Sequence, residues 1–318
     1  MTVSRRAALA LGGSAVLAPG LSLRSFAQPR LAYDIVPKQI AYGLWMIQGT
    51  TEYFTRQNGG AIVNCVLLET DDGMLVIDSG PSLRYGEALR LAINQMGDGK
   101  IAGVINTHHH PDHFLGNQAF EDAPIFALGE TKALAIEHGD AFTDNMYNLL
   151  GDWMRGTESR PPDQELDGGT FEIGGRKLEA LPLSGHTEAD LAILDEVTGT
   201  VIAGDLAFLD RAPTTPSADL DLWRTSLEFI EEIEAAAIIP GHGPVDPTRK
   251  SLAQTRAYLD WLETALKTAA SEGLDMIEIM DTAIPAEFAQ MGAMPQEFHR
   301  SISHLFSDIE NEALPRAN

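Results

Sequence analysis

Four histidines and one aspartate fall within seven residues, in the run THHHPDH at positions 107–113. Imidazole nitrogens and carboxylate oxygens are ligands that suit zinc and neighbouring transition metals. In extended chain, alternate side chains point to opposite sides, so His108 and His110 share one side and His109 points away. With Asp112 and His113 beyond a turn at Pro111, the run predicts a metal-binding motif of the form His-x-His-x-Asp-His.

Three more side chains of the same chemical types stand where predicted strands end in turns that contain glycine. They are His186 in the sequence LSGHT, Asp205 in AGDL and His242 in PGHG. Each is uninformative alone, because a lone Gly-His pair is more often a turn or a capped helix. Together with the run at 107–113 they predict that separate strand ends deliver ligands to one metal centre.

The elements that must position these residues alternate in a regular order along the chain. The apolar run 101–105 predicts a buried strand just before the histidine-rich run, and the apolar run 62–68 predicts another. Strands and then helices occur twice over, which predicts an α/β protein with two similar halves packed sheet on sheet and helices outside. A C-terminal helical region is expected from about 247 to 318. Residues 141–168 are interpreted as an insertion near the site.

Two details of the core follow from the pattern of apolar residues. The helix after residue 82 is expected to bury Leu83, Ala88, Leu91 and Ile93 on one face. Cys65, the single cysteine, lies in the apolar run 62–68 and is predicted to be a packed, unreactive thiol. A single cysteine also excludes an internal disulfide.

The charge of the chain argues against two classes of partner. It carries 22 basic and 46 acidic residues, a formal net charge of −24. Affinity for nucleic acid depends largely on lysine and arginine that neutralise phosphate, and attraction to anionic membranes needs the same residues. We therefore expect a small-molecule substrate, and neither a nucleic acid nor a membrane as partner.

The first 27 residues have the composition of a signal peptide. Arg5 and Arg6 precede a short apolar segment rich in alanine and glycine, and the stretch ends in Ser25-Phe26-Ala27. The paired arginines predict export by the twin-arginine pathway to the periplasm, and the apolar segment is too short for a membrane span. Residues 28–318 would then form a single hydrolase domain; the alternative is a frayed helix at the start of that domain.

The histidine-rich run, followed in order by His186, Asp205 and His242, resembles the metallo-β-lactamase superfamily over roughly residues 40–245. The resemblance implies a four-layer αββα sandwich with a dinuclear site at one edge of the sheets. The expected cofactors are two zinc ions, with iron or manganese as alternatives. Asp205 is expected to bridge the two metals, and Asp78 to act as a buttress that hydrogen-bonds within the metal loop. The family pattern assigns His108, His110 and His186 to the first metal, and Asp112, His113 and His242 to the second.

The resemblance also implies hydrolysis of a small thioester, lactone or related acyl compound. A hydroxide that bridges the metals would attack the carbonyl, and Asp112 would orient it and relay its proton. Tyr53 and Phe54, in a glycine-ended loop, are candidates for a flap that binds substrate. Arg211 is a candidate for an anionic substrate group, with a structural salt bridge as the alternative.

Several relatives within the superfamily leave the function open. Asp205 argues against a true β-lactamase, because those enzymes generally lack the bridging aspartate. The segments 58–64, 77–82 and 204–208 are similar to exported SoxH-type metallohydrolases, which are associated with periplasmic sulfur oxidation and quinoproteins. The alternatives are a β-lactamase, a mononuclear iron persulfide dioxygenase, or a non-catalytic metal-binding partner of a periplasmic redox system.

Overall fold

Two β-sheets lie face to face in the computed structural model, which describes residues 31–313. The first sheet follows the order of the chain, and its last four strands run parallel to one another. Within residues 31–313 its strands are β1 (Lys38–Ala41), β2 (Leu44–Ile47), β3 (Cys65–Thr70), β4 (Gly73–Ile77), β5 (Ile101–Ile105), β6 (Ile125–Ala127) and β7 (Gln164–Glu165).

The second sheet is an antiparallel meander to which one parallel strand is added at the edge. Strands that follow one another along the chain are neighbours in this sheet, so its last strand lies at one edge. Its strands in the described part of the chain are β8 (Gly169–Ile173), β9 (Arg176–Leu183), β10 (Asp190–Asp195), β11 (Thr200–Phe208) and β12 (Ala237–His242).

Helices cover the outer face of each sheet. In the first half α1 (Leu83–Met96) packs on the sheet. In the second half α4 (Leu220–Glu232) and α5 (Lys250–Glu272) do so, and α8 (Gln296–Ala313) packs against α5. Short 3-10 turns at Leu115–Phe120 and Gly151–Met154 complete the connections. The helices of residues 31–313 are α1 (Leu83–Met96), α2 (Pro111–Phe114), α3 (Gly129–Leu150), α4 (Leu220–Glu232), α5 (Lys250–Glu272), α6 (Met276–Met280), α7 (Ala286–Ala289) and α8 (Gln296–Ala313).

Apolar residues fill three spaces in the described part of the molecule, one between the sheets and one under each layer of helices. Leu68 and Ile77 of the first sheet meet Leu191 and Ile202 of the second, all at most 3% exposed. This four-layer αββα arrangement, with helices after residue 246, confirms the fold class predicted from the sequence. The helices of 31–313 include none that is long and apolar enough to span a membrane.

The structure corrects several local predictions. Leu91 is 59% exposed, because the buried face of α1 is formed by Tyr85, Leu89, Ala92 and Ile93. Strand β3 begins only at Cys65, since the preceding residues form a turn. The predicted insertion, residues 141–168, does not begin at an element boundary, because residues 141–150 belong to the continuous helix α3.

Two further predictions concern Cys65 and the N-terminal residues. Cys65 is fully buried, as predicted, and burial raises the pKa of its thiol, which keeps it protonated and unreactive. The predicted signal peptide, residues 1–27, lies outside the described residues.

A buried ion pair fastens the two sheets together at the end away from the histidine-rich run. Arg176 of β9 donates to both carboxylate oxygens of Asp195 at 2.9 and 2.6 Å. Its remaining nitrogen Nη1 donates at 3.0 Å to the carbonyl oxygens of Gly43, in the turn between β1 and β2, and of Glu69 in β3. The guanidinium thus joins both sheets through four hydrogen bonds.

We predict that Arg176→Leu lowers the free energy of unfolding by about 3–5 kcal/mol, because it leaves Asp195 as an unpaired buried charge. Urea denaturation measures the effect. Lys177→Leu is the matched control, since Lys177 is the next residue and is exposed. Equal stability of the Arg176→Leu and Lys177→Leu variants would contradict the prediction.

Candidate metal centre

Seven buried side chains of metal-ligand type meet at one edge of the sandwich. Within residues 31–313 they form two groups, and in each group the candidate ligand atoms lie within 4.8 Å of one another. All seven side chains that the sequence singled out as candidate ligands are present. The first group is His108, His110, His186 and Asp205, and the second is Asp112, His113 and His242.

Asp205 lies between the two groups. Its Oδ2 atom is 3.3 Å from Nε2 of His186 and 4.0 Å from Nε2 of His108. Its Oδ1 atom is 3.2 Å from Nε2 of His113 and 3.3 Å from Nε2 of His242. One carboxylate oxygen therefore faces each group, which is the arrangement that a bridging ligand requires.

Strand ends bring these side chains to one place. The motif at 107–113 follows β5 of the first sheet, whereas Asp205 lies in β11 and His242 ends β12 of the second. His186 follows β9 and packs edge-on against Trp223 of α4, with 5.0 Å between ring centroids. The site is thus assembled from both sheets.

Glycine is required where β12 passes Asp205. A Cβ atom at Gly241 would lie 1.9 Å from Oδ1 of Asp205 and 2.8 Å from the carbonyl carbon of Gly204. Any side chain at Gly241 would displace the carboxylate or the strand. This close approach explains the Gly-His pair that the sequence shows at this turn.

Asp78 supports the histidine-rich loop from behind. Its Oδ1 accepts a 2.8 Å hydrogen bond from the backbone N–H of Thr107, and its Oδ2 accepts one of 2.8 Å from the Thr107 hydroxyl. Oδ2 also lies 2.8 Å from Nδ1 of His113, which turns Nε2 of that ring toward Asp205. Asp78 adopts a φ of +61°, a conformation that aspartate tolerates better than most residues.

The protonation states of the histidines differ across the site. Burial lowers the pKa of His108 and of His110 well below the usual value, and burial lowers that of His186 to about 3. Burial also disfavours charge on His113, but Asp205 and the neighbouring Asp78 outweigh it and raise its pKa. The first three imidazoles are therefore neutral at neutral pH, the form that binds a metal.

Several buried atoms at the centre have no hydrogen-bond partner among the described residues. They include Nε2 of His108, Nε2 of His113 and Oδ1 of Asp205. Buried polar atoms are normally paired, and unpaired ones need an explanation such as an ion. Because these three atoms belong to imidazole or carboxylate ligands, the residues present fit a pair of divalent cations.

A cavity of about 90 Å³ opens onto the two groups. His110, Asp112, Asp205 and His242 form part of its lining. Asp112 is 5% exposed, and its Oδ2 lies 3.4 Å from Nε2 of His242. A small substrate in this cavity can therefore reach the candidate ligands directly.

The candidate substrate residues also line the cavity. Tyr53 and Phe54, from the loop after β2, are in contact with each other at 5.7 Å between ring centroids. Arg211 is 1% exposed and donates to Oε1 of Glu297 at 3.1 Å. The salt bridge proposed as the alternative for Arg211 is thus present.

His109 lies outside both groups of ligands. Its ring is 6.0 Å from that of His138 and 5.9 Å from that of Phe142, and burial lowers its pKa to about 4.

Reasoning from the sequence missed other residues of the cavity lining. Phe142, Met146 and Leu149 of α3 have helical spacing that carries a weak signal, whereas Ser217 and Arg300 carry none.

Comparisons with known proteins give a consistent picture. A family model described as the metallo-beta-lactamase superfamily matches residues 58–242. A linear primary-alkylsulfatase of a Pseudomonas species is 21% identical over 288 residues, which cover 76% of this chain and 54% of that protein. An atrochrysone carboxyl ACP thioesterase of Aspergillus fumigatus is 26% identical over 185 residues, which cover 57% and 51%. The chain thus spans about half the length of these two relatives.

Solved structures match over a larger share of the chain. A metallo-beta-lactamase family protein of Thermus thermophilus has a TM-score of 0.66 at 21% identity, over 88% of this chain and 97% of that one. At this identity the match shows the fold.

We predict that Asp78→Ala lowers the free energy of unfolding by about 3 kcal/mol, because it leaves the buried N–H of Thr107 without an acceptor. Asp78→Asn should lose less, since its side-chain oxygen still accepts from that N–H and asparagine tolerates positive φ. Chemical denaturation of both variants tests the order. An alanine variant as stable as the wild type would show that Asp78 does not hold the loop.

Proposed function

The chain belongs to the metallo-beta-lactamase superfamily, and we propose that it is a dinuclear metal-dependent hydrolase of a small thioester, lactone or related acyl substrate. The observation that carries the proposal is the position of Asp205, which turns one oxygen to each group of candidate ligands. A single carboxylate between two sets of imidazoles suits two cations better than one.

In this proposal the ligands divide as the two groups do. His108, His110 and His186 would hold one cation, Asp112, His113 and His242 would hold the other, and Asp205 would be shared. Zinc is the cation that we propose, because its usual ligands are imidazole and carboxylate. Asp78 keeps its role behind the loop, because its hydrogen bonds aim His113 at Asp205.

The residues of the chain have distinct tasks in the reaction. Divalent cations bound here would supply Lewis acidity and would bring the pKa of a bound water near 7. Asp112 lines the cavity, so its carboxylate is placed to accept the proton of the attacking water and to deliver it to the leaving atom. Tyr53 and Phe54 cover the cavity from the loop after β2 and exclude bulk water from the reacting group.

Two named relatives support hydrolysis as the reaction class. One is called an alkylsulfatase and the other a thioesterase, so both cleave a bond to oxygen or sulfur in an ester-type substrate. Thioesters, lactones, β-lactams and alkyl sulfates therefore form the substrate panel. A thioester or lactone is the substrate class that we expect.

We predict that purified protein contains two zinc ions per chain and hydrolyses a member of the panel. His110→Ala should bind about one zinc fewer and should lower kcat/KM by at least about 100-fold, because it removes a proposed ligand that lines the cavity. His109→Ala is the matched control from the same loop. It should keep both metals, since His109 lies outside the two groups.

Elemental analysis and initial rates give both readouts. Absence of bound metal, or a His110→Ala variant with wild-type activity, would contradict the proposal. One iron per chain together with oxygen uptake on a persulfide would instead identify the dioxygenase alternative. Bound metal without turnover of any substrate would favour a metal-binding partner of a redox system.

A further inference from the structure

The cavity at the metal centre has an apolar part that comes from two separate segments. Tyr53 and Phe54 belong to the loop after β2, and Phe142, Met146 and Leu149 belong to α3. Phe142 also lies edge-on to His110, with 6.4 Å between ring centroids. An apolar substrate group therefore finds aromatic and aliphatic contacts immediately beside the candidate ligands.

The same cavity has a polar part with two arginines. Ser217 lies 3.5 Å from Nε2 of His110, and Thr214, Arg211 and Arg300 are further lining residues. Arg300 comes from α8, far along the chain from every candidate ligand. Two arginines at one cavity are unexpected in a chain of net charge −24. Whether either can bind a substrate depends on which protein groups already pair with it.

Arg211 donates its hydrogen bonds to other groups of the protein. Its Nη2 donates to Oε1 of Glu297 at 3.1 Å, and its Nη1 donates to the carbonyl oxygen of Ala212 at 3.2 Å. Glu297 Oε1 also accepts from the Thr214 hydroxyl at 2.8 Å. Arg211 and Glu297 are 1% and 0% exposed, so this pair holds the loop after β11 against α8.

Arg300 differs from Arg211, because it has no such hydrogen bonds within the described residues. Its Nη1 lies 3.8 Å from Oε2 of Glu297, beyond hydrogen-bond distance, and its guanidinium donates no hydrogen bond to any residue in 31–313. Its side chain is 31% exposed. The carboxylate of Glu297 is hydrogen-bonded to Arg211, so among these three side chains the charge of Arg300 has no hydrogen-bonded anion.

We propose that Arg300 binds an anionic group of the substrate, and that the substrate is an acyl compound with one carboxylate and an apolar portion. The proposal rests on the hydrolase function proposed above. A guanidinium presents paired N–H donors that match a carboxylate in a two-point contact. A guanidinium without a hydrogen-bonded anion suits one anionic group of the substrate, and the aromatic side chains of the lining bind the apolar portion.

The kinetic test uses two thioesters of equal length. One is the S-benzyl monothioester of adipic acid, with a free carboxylate, and the other is its neutral terminal amide. The wild type should prefer the acid, and Arg300→Met should reduce the ratio of kcat/KM for acid over amide by about 10- to 100-fold, mainly through KM. Arg300→Lys should restore part of the ratio, because it restores the charge without the two-point contact.

A matched control separates recognition from a general effect of losing an arginine. Arg256→Met removes an arginine of similar exposure, 28%, that pairs with Glu228 outside the cavity. It should leave the acid-to-amide ratio unchanged. An unchanged ratio in Arg300→Met, or equal effects of Arg300→Met and Arg300→Lys on both thioesters, would overturn the proposal.

A binding measurement decides the question even if neither thioester is hydrolysed. Calorimetric titration of the metal-loaded protein with 4-phenylbutyrate and with 4-phenylbutyramide compares the same apolar group with and without the charge. Tighter binding of the carboxylate that weakens about 10-fold or more in Arg300→Met supports the proposal. Carboxylate binding that Arg300→Met leaves intact places the anion on the metals and overturns it, whereas absent turnover alone counts only against the hydrolase function.

Discussion

The burial of Asp205 is the constraint on which the rest of the structure depends. The residue is 4% exposed, and its carboxylate lies within 3.3 Å of three imidazoles, those of His113, His186 and His242. Taking a carboxylate out of water costs several kcal/mol unless other charges or donors compensate. The fold therefore has to hold several polar side chains around the two carboxylate oxygens of Asp205. Gly241 belongs to this arrangement, because any side chain there would collide with Oδ1 of Asp205.

The site is built across the two sheets of the sandwich. The histidine-rich loop belongs to the first sheet, while Asp205 and His242 belong to the second, so the distance between ligands depends on the packing between sheets. That packing consists of apolar side chains and of the Arg176–Asp195 pair at the other end. Support from behind comes from Asp78, which links the loop to the end of β4.

The candidate ligands form one part of the cavity lining, its floor, and the remaining lining residues form its walls. The loop after β2 and α3 supply its aromatic part, and the C-terminal helix α8 supplies Arg300 and the Glu297 that fixes Arg211. Floor and walls thus come from separate parts of the chain. This division explains how one metal-binding framework serves different substrates when the walls change.

The sequence by itself determined the superfamily, the layer order and the set of candidate ligands. The candidate ligands could be predicted because they carry local signals: the histidine-rich run follows an apolar run, and His186, Asp205 and His242 each follow a glycine at a predicted strand end. The superfamily followed from the resemblance of these motifs in their order along the chain. Local signals were weaker for element boundaries, as the continuous helix α3 and the exposed Leu91 show. Only the tertiary structure decided which oxygen of Asp205 faces which group, that Arg211 is paired, and that Arg300 lines the cavity. Those facts depend on contacts between residues as distant as 211 and 297 along the chain, and such contacts arise from packing, which no local pattern encodes.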